Sequence, residues 1–320
     1  MKPLRVGVVG VGYLGKFHAQ KYACMKDVTL AGVVDIIDER ARKVAAEFET
    51  KPFSDYRDLA GKVDAVSVVV PTPLHFPVSR WFLENDVDVL IEKPMAGSVD
   101  EADTLVGLAD SRERIIQVGH LERFNPAVVA LTQAVECPLF IESHRLSLFN
   151  ERGTEVDVVL DLMIHDLDVI LHVVQSEIRD IHAVGVPVVT PRVDIANARL
   201  IFENGCVANV TASRISMKTM RKIRIFQKDA YISVDYASRD IMVIRKDNQG
   251  SGLPVPGMSM DRSAFKAADP LGEELASFVE SVRWRRPPVV TGRDGRNALR
   301  VAVDIAEQIK SGAKAMLGSF

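Results

Sequence analysis

Leu4-Arg5-Val6-Gly7-Val8-Val9-Gly10-Val11-Gly12-Tyr13-Leu14-Gly15 is a short apolar run of strand character that ends in G-x-G-x-x-G. Alone, that spacing of glycines is a weak signal. Here a helix-like segment, Lys16 to Met25, follows it, then a second strand, Val28 to Val34, ending in Asp35, 20 residues beyond Gly15. In this setting Gly10 makes the tight turn, Gly12 lets the backbone approach a pyrophosphate, and Gly15 lets helix and strand pack closely. The turn Gly10, Gly12, Tyr13, Leu14, Gly15 is the expected dinucleotide contact, with phosphates at the helix N-terminus. Asp35 is expected to bond the adenosine ribose hydroxyls and to repel a 2′-phosphate. Ile36 and Ile37 follow where an arginine would favour NADP, so the pattern favours NAD.

Outward from this unit the alternation continues. Val63 to Val70 is a continuous β-rich run, as expected of a parallel strand buried on both faces, and it leads to Pro71-Thr72-Pro73-Leu74-His75. Thr72 followed by Pro73 predicts an N-cap with proline at the first helical position, opening a helix to about Glu84. Val87 to Ile91 is the next strand and runs into Glu92-Lys93-Pro94. Ser98 to Asp110 reads as a helix and Arg114 to Val118 as the closing strand. Ligands of open α/β sheets bind outside the carboxyl ends of the strands, where Thr72, Pro73, His75, Glu92 and Lys93 fall. The following proline fixes Lys93 on the cofactor side.

After Gly119-His120-Leu121-Glu122-Arg123-Phe124-Asn125-Pro126 the pattern changes. A helix, Ala127 to Val135, and an extended run, Pro138 to Phe149, precede Asp157 to His172, which is apolar almost all round. At about 100° per residue, Asp157, Asp161, His165, Asp168 and His172 fall within an arc of roughly 80°, and only Asp166 breaks the pattern. A helix of this kind is buried, and buried carboxylates need partners, so the stripe is expected to face a polar cavity. For any one of these residues taken singly, a cap or a satisfied core polar group is the better account. The pair Asp161 and His165 is different, because a carboxylate one turn from an imidazole orients the ring and raises its proton affinity.

From Ile178 onward successive strands without intervening helices predict an antiparallel sheet. Gly250 to Met260 reads as a loop, and two helices, Leu271 to Arg283 and Arg293 to Lys310, follow. The expected architecture is an α/β Rossmann domain with a doubly wound parallel sheet over residues 1–121. An α+β domain with a large, mainly antiparallel open sheet is expected over residues 122–320. Arg214, Lys218, Arg221, Lys222 and Arg224 form a basic cluster that reads either as a charged strand edge or as an anion site.

With 320 residues, 47% apolar and 26% charged, the chain is an ordinary globular one, and a net charge of -3 argues against a nucleic-acid binder. Cys24, Cys137 and Cys206 lie far apart, so neither a disulfide framework nor a thiolate metal site is expected. No apolar run approaches the ~18 residues of a membrane span, and the first apolar run leads into glycines rather than a cleavage site. A cytoplasmic enzyme is therefore expected.

Gly10-x-Gly12-x-x-Gly15 with Asp35, Thr72-Pro73, Glu92-Lys93-Pro94 and Asp161-x-x-x-His165 together resemble the glucose-fructose oxidoreductase, inositol dehydrogenase and rhizopine catabolism (Gfo/Idh/MocA) family of NAD(P)-dependent oxidoreductases. The resemblance implies that Lys93, His165 and Asp161 are the catalytic residues. It also implies that the open sheet serves a homo-oligomer, a dimer or tetramer. Residues 119–126, 157–166 and 193–198 are similar to bacterial members that oxidise the C3 hydroxyl of UDP-N-acetylglucosamine, so that a partner aminotransferase can install an amine for lipid A synthesis. One departure stands out: many relatives carry glycines where Val158-Val159-Leu160 stand here.

The chemistry implied is hydride transfer to nicotinamide with proton removal from the same carbinol. His165, aligned by Asp161, and Lys93 would converge on that carbinol; either could be the base, the other stabilising the oxygen. Two further readings stay open: a dehydrogenase or reductase of a free polyol or aldose, and a non-catalytic dinucleotide-sensing protein.

Overall fold

The computed structural model describes residues 2–150, 156–246, 257–265 and 268–317, with 313–317 described by their backbone alone. In chain order the first elements are β1 (Leu4–Val9), α1 (Tyr13–Cys24), β2 (Val28–Val34), α2 (Asp38–Glu47), β3 (Pro52–Phe53), β4 (Ala65–Val68), α3 (His75–Glu84), β5 (Asp88–Glu92), α4 (Val99–Ser111) and β6 (Ile116–Gly119). Then come α5 (Pro126–Ala134), β7 (Pro138–Leu146), a π turn at Val159–Met163 and α6 (Ile164–Val174). Seven strands follow: β8 (Ile178–Val186), β9 (Ile195–Phe202), β10 (Val207–Ser213), β11 (Met220–Gln227), β12 (Ala230–Asp235), β13 (Asp240–Lys246) and β14 (Met258–Ala264). Helices α7 (Pro270–Trp284) and α8 (Gly292–Leu317) complete the order.

The chain divides into two compact units, Met1–Leu121 with Asp269–Leu299, and Glu122–Ala268 with Arg300–Phe320. The first holds a six-stranded sheet in the order β3-β2-β1-β4-β5-β6, parallel throughout, the order of a doubly wound Rossmann domain. Its central strands are buried on both faces, as their continuous apolar runs demand. Sequence reading places everything after residue 121 in the second domain, but α7 packs in the first. Leu275, Phe278, Val279 and Val282 share one core with Val6, Val8, Tyr22 and Val33, because α7's apolar stripe has that sheet face to bury against. The Gln117 side chain reinforces this contact: its Nε2 donates to the Glu274 carbonyl at 2.9 Å.

The second unit holds an eight-stranded sheet in the order β14-β13-β12-β11-β7-β10-β9-β8, antiparallel except where β7 and β10 run parallel. Period-two alternation separates its faces. Ile141, Ala198, Leu200, Val210, Ile223 and Ile232 are buried on the face that α6 covers. The opposite face carries an apolar row in register, Val207, Phe140, Phe226, Tyr231 and Ile244, whose three aromatic rings stack at centroid distances of 5.7 and 5.0 Å. Of the loop expected over Gly250 to Met260, residues 250–256 lie outside the described residues, and Met258 to Met260 instead begin β14. That strand is polar and exposed because it lies at the sheet's edge.

Candidate active site

In the first unit the glycine turn has the geometry that a dinucleotide requires. Gly10 has φ 86°, and a Cβ there would come within 2.4 Å of the Val69 carbonyl oxygen. A Cβ on Gly15 would lie 1.8 Å from the Gly10 oxygen, whereas at Gly12 it would meet nothing within 4 Å. Gly12 therefore faces open space where a ligand can approach the backbone. No side chain caps α1 and its first turn holds no acidic residue, the arrangement that suits a phosphate at a helix N-terminus. Tyr13 and Leu14, both exposed, flank this turn, and Tyr13 packs edge-on against Phe17.

Asp35 is buried at the end of β2 and accepts from the N–H of Val11 at 3.1 Å and of Ile37 at 2.9 Å. Arg40, one helical turn on, places Nη1 3.2 Å from both carboxylate oxygens. Directly after Asp35 stand Ile36 and Ile37, and the start of α2 brings an arginine back from position 40. These residues fit NAD: a glycine cradle for the pyrophosphate and a fixed carboxylate for the ribose. When bound, NAD supplies the hydride acceptor.

At the carboxyl ends of β4 and β5 the expected residues divide into supports and candidates. Thr72 opens a 3₁₀ turn, Thr72–Leu74, that leads into α3, and no side chain caps either element, which corrects the expected Thr72 N-cap. Pro73 is exposed in that turn. His75 is buried, with Nδ1 2.8 Å from the Pro94 carbonyl and Nε2 2.7 Å from the Val70 carbonyl. Its ring thus ties the loop after β4 to the loop after β5, and burial holds its pKa below the ordinary value. Glu92 lies 3.2 Å from the Nε2 of the buried His18. Burial alone would raise the Glu92 carboxyl; His18, with Lys93 and His75, reverses this and holds it low. Lys93, half-buried, precedes a cis peptide bond to Pro94.

In the second unit the aspartate and histidine stripe comes apart. Asp157 is a cap, its Oδ1 accepting from the N–H groups of Val159 and Leu160, both at 3.0 Å. The π turn then inserts an extra residue per turn, so positions before and after it do not keep the 100° phase. Asp168 turns inward to a buried ion pair with Arg123 at 3.3 Å. Asp161, inside the π turn, and His165, in the first turn of α6, are half-buried, as is His172. Asp166, which breaks the sequence pattern, is buried and accepts from Ser143 at 2.8 Å and from Arg145 Nε at 2.5 Å. Arg145 also meets Glu122 at 3.0 Å and lies over the Tyr236 ring at 5.2 Å. Burial works against the Arg145 charge, but Asp166 and Glu122 more than reverse it.

Sequence reading missed this network and the residues His18 and Arg40. One signal was present: Ile141, Ser143 and Arg145 alternate on one face of an extended run, so an arginine on the buried face called for a carboxylate partner.

Comparison with known proteins accords with this geometry. Residues 4–120 match the oxidoreductase family with an NAD-binding Rossmann fold, and residues 143–233 match the GFO/IDH/MocA C-terminal domain. The chain belongs to this family of NAD-binding oxidoreductases. It is 39% identical to a UDP-N-acetylglucosamine 3-dehydrogenase from Acidithiobacillus ferrooxidans, over 96% of this chain and 98% of that protein. A solved structure of that enzyme superposes with a TM-score of 0.92, covering 97% of this chain and 99% of the other at 39% identity. A myo-inositol 2-dehydrogenase from Thermotoga maritima is 26% identical over 92% of this chain and 93% of its own length.

Proposed function

We propose that the protein oxidises the C3 hydroxyl of UDP-N-acetylglucosamine, with NAD as hydride acceptor, to the 3-keto sugar nucleotide. The observation that carries this reading is the 39% identity to an enzyme of that activity over 96% of the chain. His165, aligned by Asp161, takes the hydroxyl proton, and Lys93 bonds the reacting oxygen as negative charge develops on it. His75 and Glu92 hold the strand-end loops around the cofactor, and Thr72 and Pro73 line it. A free polyol is the second reading, favoured by the inositol dehydrogenase relative. Incubating the protein with NAD and a panel of UDP-sugars and inositols decides between them, with NADH absorbance and a mass loss of two hydrogens as readouts. NADH from inositols alone overturns the first reading.

The ketone product is the functional group an aminotransferase consumes, so we assign such an enzyme as the pathway partner, with both reactions in the cytoplasm. We further propose a homo-oligomer, dimer or tetramer, in which a second copy covers the row Phe140, Phe226 and Tyr231 on the open sheet face. Tilted aromatic rings in register, on a sheet face that α6 does not cover among the described residues, support this reading.

A further inference from the structure

We propose that Arg221 and Lys218 bind the diphosphate of the substrate, and that the exposed apolar side chains beside them receive its base. The proposal rests on the sugar-nucleotide reading above. It assigns the basic cluster, which the reaction itself does not use.

Strand register locates Arg221. In the β11–β7 pair, Ile225 stands opposite Ile141, Ile223 opposite Ser143 and Arg221 opposite Arg145. Ser143 and Arg145 both bond Asp166, so this is the face that α6 covers, and period two puts Arg221 on it. Ile223 and Ile225 are buried there, but Arg221, second residue of β11, is exposed at the sheet's end. Its partner across the strands holds the residue next to His165. The remaining cluster members have other uses. Arg224 pairs with Glu142 at 2.6 Å on the open face, Lys222 shares that face, and Arg214 is buried with Nη2 on the Val156 carbonyl at 2.8 Å.

Charge makes the position unusual. Arg145 is held by two carboxylates, Asp166 and Glu122, whereas among the described residues neither Arg221 nor Lys218 has a carboxylate in ion-pairing distance. A bound anion supplies the counter-charge that the chain itself does not place beside Arg221 and Lys218. Two atoms close by also lack partners: Arg145 Nη2 and Tyr236 Oη, both buried. The Tyr236 N–H donates to the Arg221 carbonyl at 2.8 Å, which puts Tyr236, the residue after β12, beside Arg221 on its other side.

The same end of the sheet presents apolar surface. Ser147 N–H donates to the Ser213 carbonyl at 2.8 Å and Ser216 N–H to the Ser147 carbonyl at 3.0 Å, tying the segments after β7 and β10 together. On these segments Leu148, Phe149 and Met217 are all exposed, Met217 at 91%. Guanidinium and ammonium groups edged by uncovered apolar side chains suit a nucleoside diphosphate, while a free polyol would need neither.

The test measures binding of UDP and of inorganic pyrophosphate to the full chain by calorimetry, for wild type and for Arg221→Ala/Lys218→Ala. Exposed positions make this variant tolerable to the fold, which its melting curve checks; Arg221→Lys supplies a conservative control. The double variant is expected to weaken both ligands roughly ten- to hundredfold, the scale of lost charge-assisted hydrogen bonds, and to flatten their salt dependence. NAD affinity is expected to stay at the wild-type value. Unchanged UDP affinity in the double variant, or no binding of either probe by wild type, overturns the subsite. Turnover separates the two claims. Wild type that oxidises UDP-N-acetylglucosamine while the variant binds UDP normally removes the subsite alone. Pyrophosphate binding lost in the variant, with no UDP-sugar oxidised by wild type, removes the reaction alone.

Discussion

Arg145 grips Asp166 at 2.5 Å, and Asp166 is the residue that follows His165 in α6. A buried ion pair is rarely a large net source of stability, since apolar residues of similar volume often serve as well. What the pair does fix is orientation. Together with Asp168 on Arg123, it sets the rotation of α6 about its own axis, and so the direction in which the 165 ring projects. The triple variant Arg145→Met/Asp166→Leu/Glu122→Gln, which leaves no carboxylate of the network without its cation, should therefore melt near the wild-type temperature, yet lose about tenfold or more in kcat, because small misplacements of a reacting group are costly. Histidine NMR should show an altered pKa at position 165. Wild-type turnover and titration in this variant would show that the network only packs.

Lys93→Ala and His165→Ala should each lower kcat by about two orders of magnitude or more, the scale of acid–base groups. NAD affinity, measured by fluorescence quenching, should change little. Near-normal turnover in either variant removes that residue from the chemistry.

We propose that Asp35 and Arg40 together set cofactor choice. Asp35→Ser removes the carboxylate assigned to the ribose hydroxyls and frees Arg40 from its 3.2 Å contact. The NAD KM should rise roughly ten- to hundredfold, the worth of a charged hydrogen bond. NADP should become a usable acceptor, because the released guanidinium can meet a 2′-phosphate. Asp35→Ser/Arg40→Ala should lose the NADP activity again.

Asp194 gives the second unit a defined acid sensitivity. Burial would raise its carboxyl, but N–H groups of Thr190, Val189 and Val188 and the Thr190 hydroxyl more than offset this and bring the pKa to about 2. Because the folded value lies below the ordinary value of about 3.9, the carboxylate stabilises the fold fully above that ordinary value, and the contribution disappears as pH falls through about 2. Asp194→Asn should lower the melting temperature at neutral pH and narrow its fall between pH 4 and 2. An unchanged pH profile of Tm would show that the loop does not depend on the charge.

Phe226→Asp puts a charge into the aromatic row of the open face, between Phe140 and Tyr231. Light scattering should then report a smaller species than wild type at equal concentration, with secondary structure intact by circular dichroism. An identical mass would exclude this face as the interface.

Features whose geometry is local were legible in the sequence. The glycine turn and the placing of Asp35 at the end of β2 announce themselves because a strand, a turn and a helix N-terminus follow one another within a few residues, whereas the N-cap expected at Thr72 is a 3₁₀ turn without a side-chain cap. The stripe on the buried helix was legible only in part. Regular helical phase put five residues on one line, and the π turn at Val159–Met163 broke that line, leaving one cap, one core ion pair and three half-buried groups. Asp166, which a helical projection sets aside, proved to be the residue most firmly held.

The amino-acid sequence by itself determined the dinucleotide-binding half, the carboxylate at the end of β2, and the candidate pair Asp161 and His165, since each follows from spacing along one contiguous stretch. Tertiary structure alone decided that α7 completes the first core, that Arg145 anchors α6, that Arg40 reaches Asp35, and which sheet face stays open. Those outcomes depend on partners far apart in the chain, 157 residues in the case of Gln117 and Glu274. A buried charge or an apolar stripe states that it needs a partner; only the packed chain shows which one it found.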